Sequence, residues 1–313
     1  MNLHQFRFVQ EAVRRNLNLT EAAKALHTSQ PGVSKAIIEL EEELGIEIFT
    51  RHGKRLKRVT APGQHVLESI AVILREVGNL KRIGAEYSAQ DSGTLSIATT
   101  HAQARYVLPT PISRLRERYP KVNISLHQGA PDQVARMVID ETADLGIATE
   151  SLADYPGLVT LPCFEWQHVL VLPTGHPLAG KERVTLEDIA AHPLVTYHPS
   201  FTGRARIDHA FAQRQLAPRI ALEAIDSDVI KTYVRLGLGI GIVAEMAVQG
   251  EAEAGLVMRP LGQLLGQNVA RVALKRGAWL RDFVYHFTSL LSDRLDKELI
   301  LKALNGQNQD YEL

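Results

Sequence analysis

The chain has 313 residues, which suggests two or three domains. An apolar content of 45% is enough for buried cores, and a formal net charge of zero does not by itself indicate a nucleic-acid partner. The single cysteine, Cys163, excludes an internal disulfide. The N-terminus does not resemble a signal peptide, and no apolar run is long enough to span a membrane, so we expect a cytoplasmic protein without a membrane partner.

The first predicted elements are three short helices. Residues 3–15 have the apolar spacing of an amphipathic helix. Thr20 is expected to cap a second helix and Ser29 a third, with Pro31 in its first turn. Two short helices with a tight polar joint are typical of a helix-turn-helix, although an ordinary helical hairpin is the alternative. The residues expected to face DNA here are Thr28, Ser29, Gln30, Pro31, Ser34 and Lys35.

A basic hairpin is predicted next. Two short runs turn at His52-Gly53, and residues 51–58 contain five Lys or Arg. Residues 1–60 carry ten Lys/Arg against seven Asp/Glu, so the positive charge is concentrated beside the helix-turn-helix. A charge run is often only a solvated face, but this position favours a wing that contacts phosphates. The wing residues expected to bind DNA are Arg51, Lys54 and Arg55.

A long helix is predicted after Thr60, which caps it. Its apolar residues repeat at intervals of four and three over nearly three heptads. Such a seam could dock on its own domain, but we favour self-association, since a two-fold dimer presents two recognition helices to a palindrome. The predicted dimerisation residues are Val66, Ile70, Ile73, Val77 and Leu80. The predicted boundaries are 1–60 for the DNA-binding domain and 61–91 for the linker helix and hinge.

Strands and helices alternate from residue 92 onward, with a helix predicted from Ala104 to Arg118 and a strand at ADLGIAT, residues 143–149, and this alternation indicates sheets covered by helices on both faces. About 200 residues suit two α/β lobes with a cleft between them, over residues 92–300. Residues 301–313 are expected to form a polar C-terminal tail.

The cleft is the expected ligand site, because ligands collect beyond the carboxyl ends of strands in such folds. Hydroxyl or amide side chains stand at three predicted junctions, at residues 99–103, at Thr149 and at 200–203. Neutral donors of this kind suit a small oxyanion, although helix capping alone explains each threonine about equally well. Trp166, near the expected crossing between the lobes, is a candidate for a wall of the pocket, and a tryptophan in the core is the alternative. Motifs for a nucleophile, a P-loop or a metal site are absent from the sequence, so neither an enzyme nor a cofactor is expected.

The N-terminal block resembles the LysR-type transcriptional regulators, through AA…L…SQPGVSK, the following ELG-x-x-I-F-x-R and the T-x-x-G at the linker helix. In the second domain, IATTHAQARYVLP, ADLGIATE and DVIKTYVRLGLGIGIVAEMAV resemble the CysB subgroup, the regulators of sulfur assimilation. The resemblance implies a winged helix-turn-helix, a two-lobed effector domain like the type II periplasmic binding proteins, and a tetramer built as a dimer of dimers. It also implies action on RNA polymerase at promoter DNA.

The subgroup resemblance implies an effector among sulfate, thiosulfate, adenylyl sulfate, O-acetylserine and N-acetylserine. Its anion-site positions match at Thr100, Gln103, Thr149, Trp166 and Thr202, whereas Ala102 replaces the second threonine of TTHTQARY. That departure leaves open a paralogous regulator of alkanesulfonate utilisation that senses sulfate or adenylyl sulfate. A cytoplasmic anion-binding protein or an enzyme is a weaker alternative. The expected effector-binding residues are Thr99, Thr100, His101, Ala102, Gln103, Thr149, Trp166 and Thr202.

Overall fold

The structure is a computed structural model that describes residues 1–53, 55–88, 91–248 and 255–306, without the side chains of residues 150, 202 and 263. The chain forms two compact units, Met1–Ala85 and Glu86–Leu313.

The first unit begins with three helices and a two-stranded antiparallel hairpin. Its core contains Phe6, Val9, Ile37, Leu40 and Phe49, all buried. The elements are α1 (Leu3–Arg14), α2 (Leu19–Ala25), α3 (Gln30–Leu44), β1 (Phe49–His52) and β2 (Arg55–Val59). The predicted helix-turn-helix and hairpin are therefore present.

The predicted cap of α2 was wrong. Asn18, and not Thr20, is the N-cap, and its side-chain oxygen accepts from the backbone N–H groups of Thr20 and Glu21. The preceding Asn16 and Leu17 adopt left-handed conformations, with φ of 51° and 64°. This turn brings the chain into an extended conformation at Asn18, as an N-cap requires. Ser29 caps α3 as predicted.

The long helix α4 (Ala61–Ser88) follows the hairpin. The Thr60 hydroxyl accepts from the N–H of Gly63 at 2.9 Å, which confirms the predicted cap. Ile70 is buried against the first unit's own core. In contrast, Ile73 is 39% exposed and Leu80 is 69% exposed. The first part of the predicted seam therefore docks on its own unit, and its later part presents apolar side chains to solvent.

The second unit contains two lobes, each with a five-stranded mixed sheet. Lobe I comprises residues 92–166 and 268–304, and its sheet has the strand order β4-β3-β5-β12-β6. Strands β3, β4 and β5 are parallel, whereas β12 runs antiparallel to β5 and β6. Its elements are β3 (Ser92–Thr99), α5 (Pro109–Arg118), β4 (Lys121–Gln128), α6 (Pro131–Ile139), β5 (Leu145–Ala148), β6 (Leu158–Trp166), β12 (Asn268–Lys275), α10 (Asp282–Leu291) and α11 (Lys297–Leu304).

Lobe II comprises residues 168–260, and its sheet has the order β11-β7-β10-β8-β9. Two of its three parallel strands, Leu194–Tyr197 and Ile240–Ala244, are fully buried, whereas the third, Ile220–Ala224, lies at the edge of the sheet and is only partly buried. Gly239 lies here because a Cβ would stand 2.2 Å from the carbonyl oxygen of Pro193. The elements are β7 (His168–Pro173), α7 (Leu186–Ala190), β8 (Leu194–Tyr197), α8 (Thr202–Gln213), β9 (Ile220–Ala224), α9 (Ser227–Arg235), β10 (Ile240–Ala244) and β11 (Leu256–Pro260).

Two expectations for this unit are corrected. The helix predicted from Ala104 to Arg118 is in fact a π-helical turn, Gln103–Val107, followed by α5, which begins at a proline. The C-terminal tail was predicted to begin at residue 301, but α11 continues to Leu304 because Ala303 and Leu304 are buried in the core of lobe I. The remaining tail residues, 307–313, lie outside the described residues. Among the helices that are described, none is long and apolar enough to cross a membrane.

Candidate functional site

The start of α3 exposes a polar turn. The Ser29 hydroxyl accepts from the N–H of Gly32 at 3.2 Å, which fixes the beginning of the helix. Thr28 and Pro31 are exposed, and Gln30 and Ser34 are half-buried at the surface. The Lys35 side chain is 79% exposed and lies 3.7 Å from Glu39, a distance at which it can still turn toward another anion. The predicted set is therefore brought together on one helix start.

The basic side chains of the wing differ in whether they are held by the protein itself or exposed to solvent. The Arg51 guanidinium is 2.7 Å from the buried Glu41 carboxylate, so it is part of the unit's own framework. Arg55 is exposed, and it lines a groove of about 590 Å³ together with Gln30 and the turn between α1 and α2. The recognition helix and the wing thus border one groove. Lys54 lies outside the described residues.

A second pocket lies between the two lobes. Six predicted effector residues line it, and they come from three separate segments of lobe I. Thr99 does not line it, because its buried hydroxyl donates to the carbonyl oxygen of Ile147 at 2.9 Å. The side chain of Thr202 is not described, but its neighbours Phe201 and Gly203 are lining residues. The six are Thr100, His101, Ala102, Gln103, Thr149 and Trp166.

Of the wall contributed by lobe II, the sequence indicated only the junction at residues 200–203. Tyr197 ends β8, and Asp226 follows β9 by two residues, so the strand-end rule applied to β3 could have found both. Pro131, at the start of α6, also went unrecognised as a lining residue. Phe201 and Gly203 belong to that predicted junction, and the missed residues of lobe II are Tyr197, Ile225, Asp226, Ala244 and Met246.

Two buried polar atoms of this pocket lack a hydrogen-bond partner in the described part of the chain. Gln103 Oε1 and Trp166 Nε1 are buried and have no hydrogen-bond partner among the described residues. An unpaired buried polar atom costs about 1–3 kcal/mol, so a ligand that pairs with both recovers that free energy. Among the described lining residues there is no lysine or arginine. Apart from His101 and the carboxylate of Asp226, the polar lining residues are therefore neutral hydrogen-bonding groups.

His168 lies directly behind the pocket. Its side chain is almost completely buried, and a Cβ at position 203 would stand 2.9 Å from His168 Nε2, so glycine is required there. Burial, assisted by the charge of Arg206, lowers the pKa of His168 to about 3. At neutral pH this imidazole is uncharged and adds no cation to the site.

Charged side chains join the lobes beside the pocket. Tyr106 of lobe I donates to Asp228 of lobe II at 2.5 Å, and Lys231 lies 3.3 Å from the same carboxylate. Burial acts to raise the pKa of Asp228, but the Tyr106 hydrogen bond and the Lys231 charge outweigh it, and the pKa is lowered. Ligand atoms of His101, Asp226 and Asp228 lie within 4.8 Å of one another. Since Asp228 is already paired with cations, we assign no metal to this cluster.

Comparisons with known proteins agree with this architecture. Residues 3–64 match the bacterial regulatory helix-turn-helix of the LysR family, and residues 88–296 match the LysR substrate binding domain. The chain belongs to the LysR family.

Individual relatives narrow the family assignment. The transcriptional regulator CysB of Burkholderia cenocepacia is 60% identical over the full length of both chains. The regulator SsuR of the same organism is 50% identical, over 97% of this chain and 99% of its own. The crystal structure of the cofactor-binding domain of the Cbl transcriptional regulator is 46% identical and covers 68% of this chain and 93% of its own, with a TM-score of 0.66.

The protein is therefore a DNA-binding transcriptional regulator of the CysB subgroup, and not an enzyme. The alternative assignment to a paralogue for alkanesulfonate utilisation is not favoured, since the identity to CysB exceeds that to SsuR. A LysR substrate binding domain also implies a small-molecule effector.

Proposed function

We propose that this LysR-type regulator binds promoter DNA in the cytoplasm as a dimer of dimers, and that a small sulfur-pathway anion in the inter-lobe pocket controls its contact with RNA polymerase. The observation that carries the effector proposal is Trp166 Nε1, a buried N–H donor without a partner among the described residues, in a pocket that residues of both lobes line. A ligand that satisfies groups on both lobes favours one arrangement of the lobes over another.

The DNA-binding proposal rests on the groove shared by α3 and the wing. Gln30, at the start of α3, is the proposed base-reading residue, since a glutamine amide can pair with adenine in the major groove. Ser34 and Lys35 lie on the next turn, and Arg55 supplies phosphate contact from the wing. Arg51 supports the wing through Glu41, so its contribution to DNA binding is mainly indirect.

The proposal that two copies assemble rests on the apolar side chains of α4 that are exposed to solvent. Val72, Ile73 and Leu80 are 46%, 39% and 69% exposed, an uncommon concentration of apolar surface on one helix. A partner helix from a second copy would cover these side chains. Two-fold pairing would then place two recognition helices on the two halves of a palindrome.

The effector proposal covers sulfate, thiosulfate, adenylyl sulfate, O-acetylserine and N-acetylserine. The cavity measures only about 50 Å³, which suits the smallest of these anions in the present lobe arrangement. Thr100 and Thr149 supply hydroxyl donors, Trp166 supplies an indole N–H, and an anion strengthens each such hydrogen bond. Ala102 lines the same pocket without a hydroxyl, so one donor of the subgroup pattern is missing.

A ligand screen tests the proposal. We expect one or more of the five compounds to raise the melting temperature of the full-length protein, and calorimetry to give a saturable isotherm. Trp166→Phe should reduce that affinity about tenfold, because a hydrogen bond to a charged ligand is worth about 1.5–3 kcal/mol. If none of the five binds, or if Trp166→Phe binds as the wild type does, the proposed ligand class or its place in the pocket is rejected.

A further inference from the structure

Four side chains form a polar network between the lobes, which we term the inter-lobe clamp. Arg105 and Tyr106 belong to the π-helical turn of lobe I, and Asp228 and Lys231 belong to α9 of lobe II. The Tyr106 hydroxyl donates to Asp228 Oδ1 at 2.5 Å and accepts from Lys231 Nζ at 3.1 Å. Arg105 Nε lies 2.9 Å from Asp228 Oδ2.

The clamp is held firmly on the side of lobe II. The Lys231 side chain is 5% exposed, and its ammonium also donates to the carbonyl oxygen of Ala247 at 2.7 Å. Asp228 is 32% exposed and lies in the first turn of α9, where a carboxylate is stabilised by the helix dipole. Because Lys231 is fixed from two directions, the Tyr106 hydroxyl meets a preorganised pair of charges. Hydrogen bonds of this kind are stronger than those at an open surface.

Both ends of the clamp continue into the walls of the effector pocket. On lobe I, Gln103 begins the same five-residue turn that carries Tyr106. On lobe II, Ser227 precedes Asp228, and its hydroxyl is 2.7 Å from the hydroxyl of Tyr197. Tyr197 also accepts from the N–H of Ala244, and all three of Gln103, Tyr197 and Ala244 line the pocket. A change in the clamp must therefore move one pocket wall relative to the other.

We infer that Tyr106, Asp228 and Lys231 are positioning residues for effector binding, which hold Gln103 and Tyr197 at the separation the ligand requires. The clamp acts through the lobes and does not touch the ligand. For the ligand class this inference rests on the proposed function, whereas the clamp itself is a property of the ligand-free protein. Loss of the clamp lowers the fraction of molecules in the binding-competent arrangement, and the apparent affinity falls by the same factor.

Hydrogen–deuterium exchange of the ligand-free, full-length protein tests the clamp directly. Tyr106→Phe and Asp228→Asn each remove one side of the same contact and keep the size of the side chain. We expect the amides of residues 103–108 to exchange about tenfold faster in each single variant than in the wild type. The double variant should exchange at the same rate as the single variants, because both substitutions remove the same contact. Tyr233→Phe is the matched control, since Tyr233 is on the same helix and 39% exposed.

Calorimetry with sodium sulfate and sodium thiosulfate tests the positioning role. Both clamp variants should bind the anion that the wild type binds about tenfold more weakly, whereas Tyr233→Phe should bind it normally. Unchanged exchange at residues 103–108 overturns the inference, and so does faster exchange with wild-type anion affinity. If the wild type binds neither anion, that failure belongs to the proposed ligand class, and the exchange comparison alone decides the clamp.

Discussion

Glu41 and Arg51 form an ion pair that joins α3 to the first strand of the wing, with 2.7 Å between Glu41 Oε2 and Arg51 Nη2. The other carboxylate oxygen, Oε1, accepts from the backbone N–H groups of Ile48 and Phe49, at 2.9 Å and 3.0 Å. One buried carboxylate therefore fixes both the start of the wing and its first basic residue.

Arg51→Ala should destabilise the wing, because Glu41 then keeps a buried charge without its cation. We expect a loss of about 1–3 kcal/mol, and faster hydrogen exchange at the amides of Ile48 and Phe49. Arg55→Ala is the control, since an exposed side chain should change stability by less than about 0.5 kcal/mol. Equal exchange in the two variants would show that the ion pair does not stabilise the wing.

Gln30→Ala and Arg55→Ala should damage DNA binding in different ways. Loss of a base contact should cost about 1–3 kcal/mol on the specific site and relax preference at one base pair. Loss of a phosphate contact should weaken specific and random duplexes alike and reduce the salt slope by about one. Fluorescence anisotropy over a series of salt concentrations measures both. If Gln30→Ala weakens random DNA as much as the specific site, Gln30 is not a base-reading residue.

Ile73→Asp and Leu80→Asp should dissociate the oligomer, because each places a charge in an apolar contact between α4 helices. Both side chains are exposed, so the fold of the single chain should survive. Lys81→Asp provides a control that adds the same carboxylate at an exposed neighbouring position. Sedimentation velocity at micromolar concentration reports the mass. A wild-type mass for both seam variants, with unchanged circular dichroism, would place the interface elsewhere.

Thr100→Val and Ala102→Thr should shift effector affinity in opposite directions. Removing the Thr100 hydroxyl takes away a donor of the pocket, and adding one at position 102 restores the donor that the subgroup pattern contains. Each change should be about tenfold in the dissociation constant, as expected for one hydrogen bond to a charged ligand. Thr110→Ala, on the exposed surface of α5, is the control in calorimetry of the full-length chain. If the effector affinity is unchanged in both pocket variants, these hydroxyls are not part of the binding site.

The stability of the effector domain should depend on His168 below pH 6.5. The pKa of His168 is about 3 in the folded protein, so between pH 3 and pH 6.5 only the unfolded chain binds this proton. Stability is therefore lost as the pH falls through this window, by about 1.4 kcal/mol per pH unit. His168→Gln should lose about 2 kcal/mol less than the wild type between pH 6.5 and pH 5.

Urea denaturation followed by tryptophan fluorescence measures that difference, since both tryptophans, Trp166 and Trp279, lie in the effector domain. The comparison uses the slope with pH, and a uniform loss of stability in the variant does not affect it. Parallel pH profiles would show that His168 is not the titrating group.

Much of the fold followed from local pattern. The buried strand Leu145–Ala148 was predicted from the alternation of strand and helix segments, and its complete burial is expected for an internal strand of a sheet covered on both faces. The helix predicted over Ala104–Arg118 failed at its start, because apolar periodicity does not distinguish a π-helical turn from α-helix. The cap at Asn18 was missed because it depends on left-handed residues just before it, and Leu17 is a residue type that rarely adopts that conformation.

The pocket was only half predictable, for a physical reason. Thr100, Gln103 and Thr149 follow strands of one lobe, where the strand-end rule applies directly. The same rule points to Tyr197 and Asp226 at strand ends of the second lobe, but local sequence does not encode that the two lobes bring them to one pocket. The contact between Tyr106 and Asp228 spans 122 residues, and each residue separately is compatible with an ordinary surface role. The dimer seam shows the same limit, since heptad spacing did not reveal which part of α4 docks on its own unit.

The position of β12 in lobe I has a consequence for biosynthesis. This strand lies between β5 and β6, although the whole of lobe II separates it from them along the chain. While the ribosome is translating lobe II, the sheet of lobe I lacks an internal strand, and the facing edges of β5 and β6 have unpaired backbone groups. Lobe II can complete its own sheet first, because all five of its strands are contiguous in sequence. A nascent chain arrested before Asn268 thus exposes two open strand edges, which makes it a substrate for chaperones and aggregation.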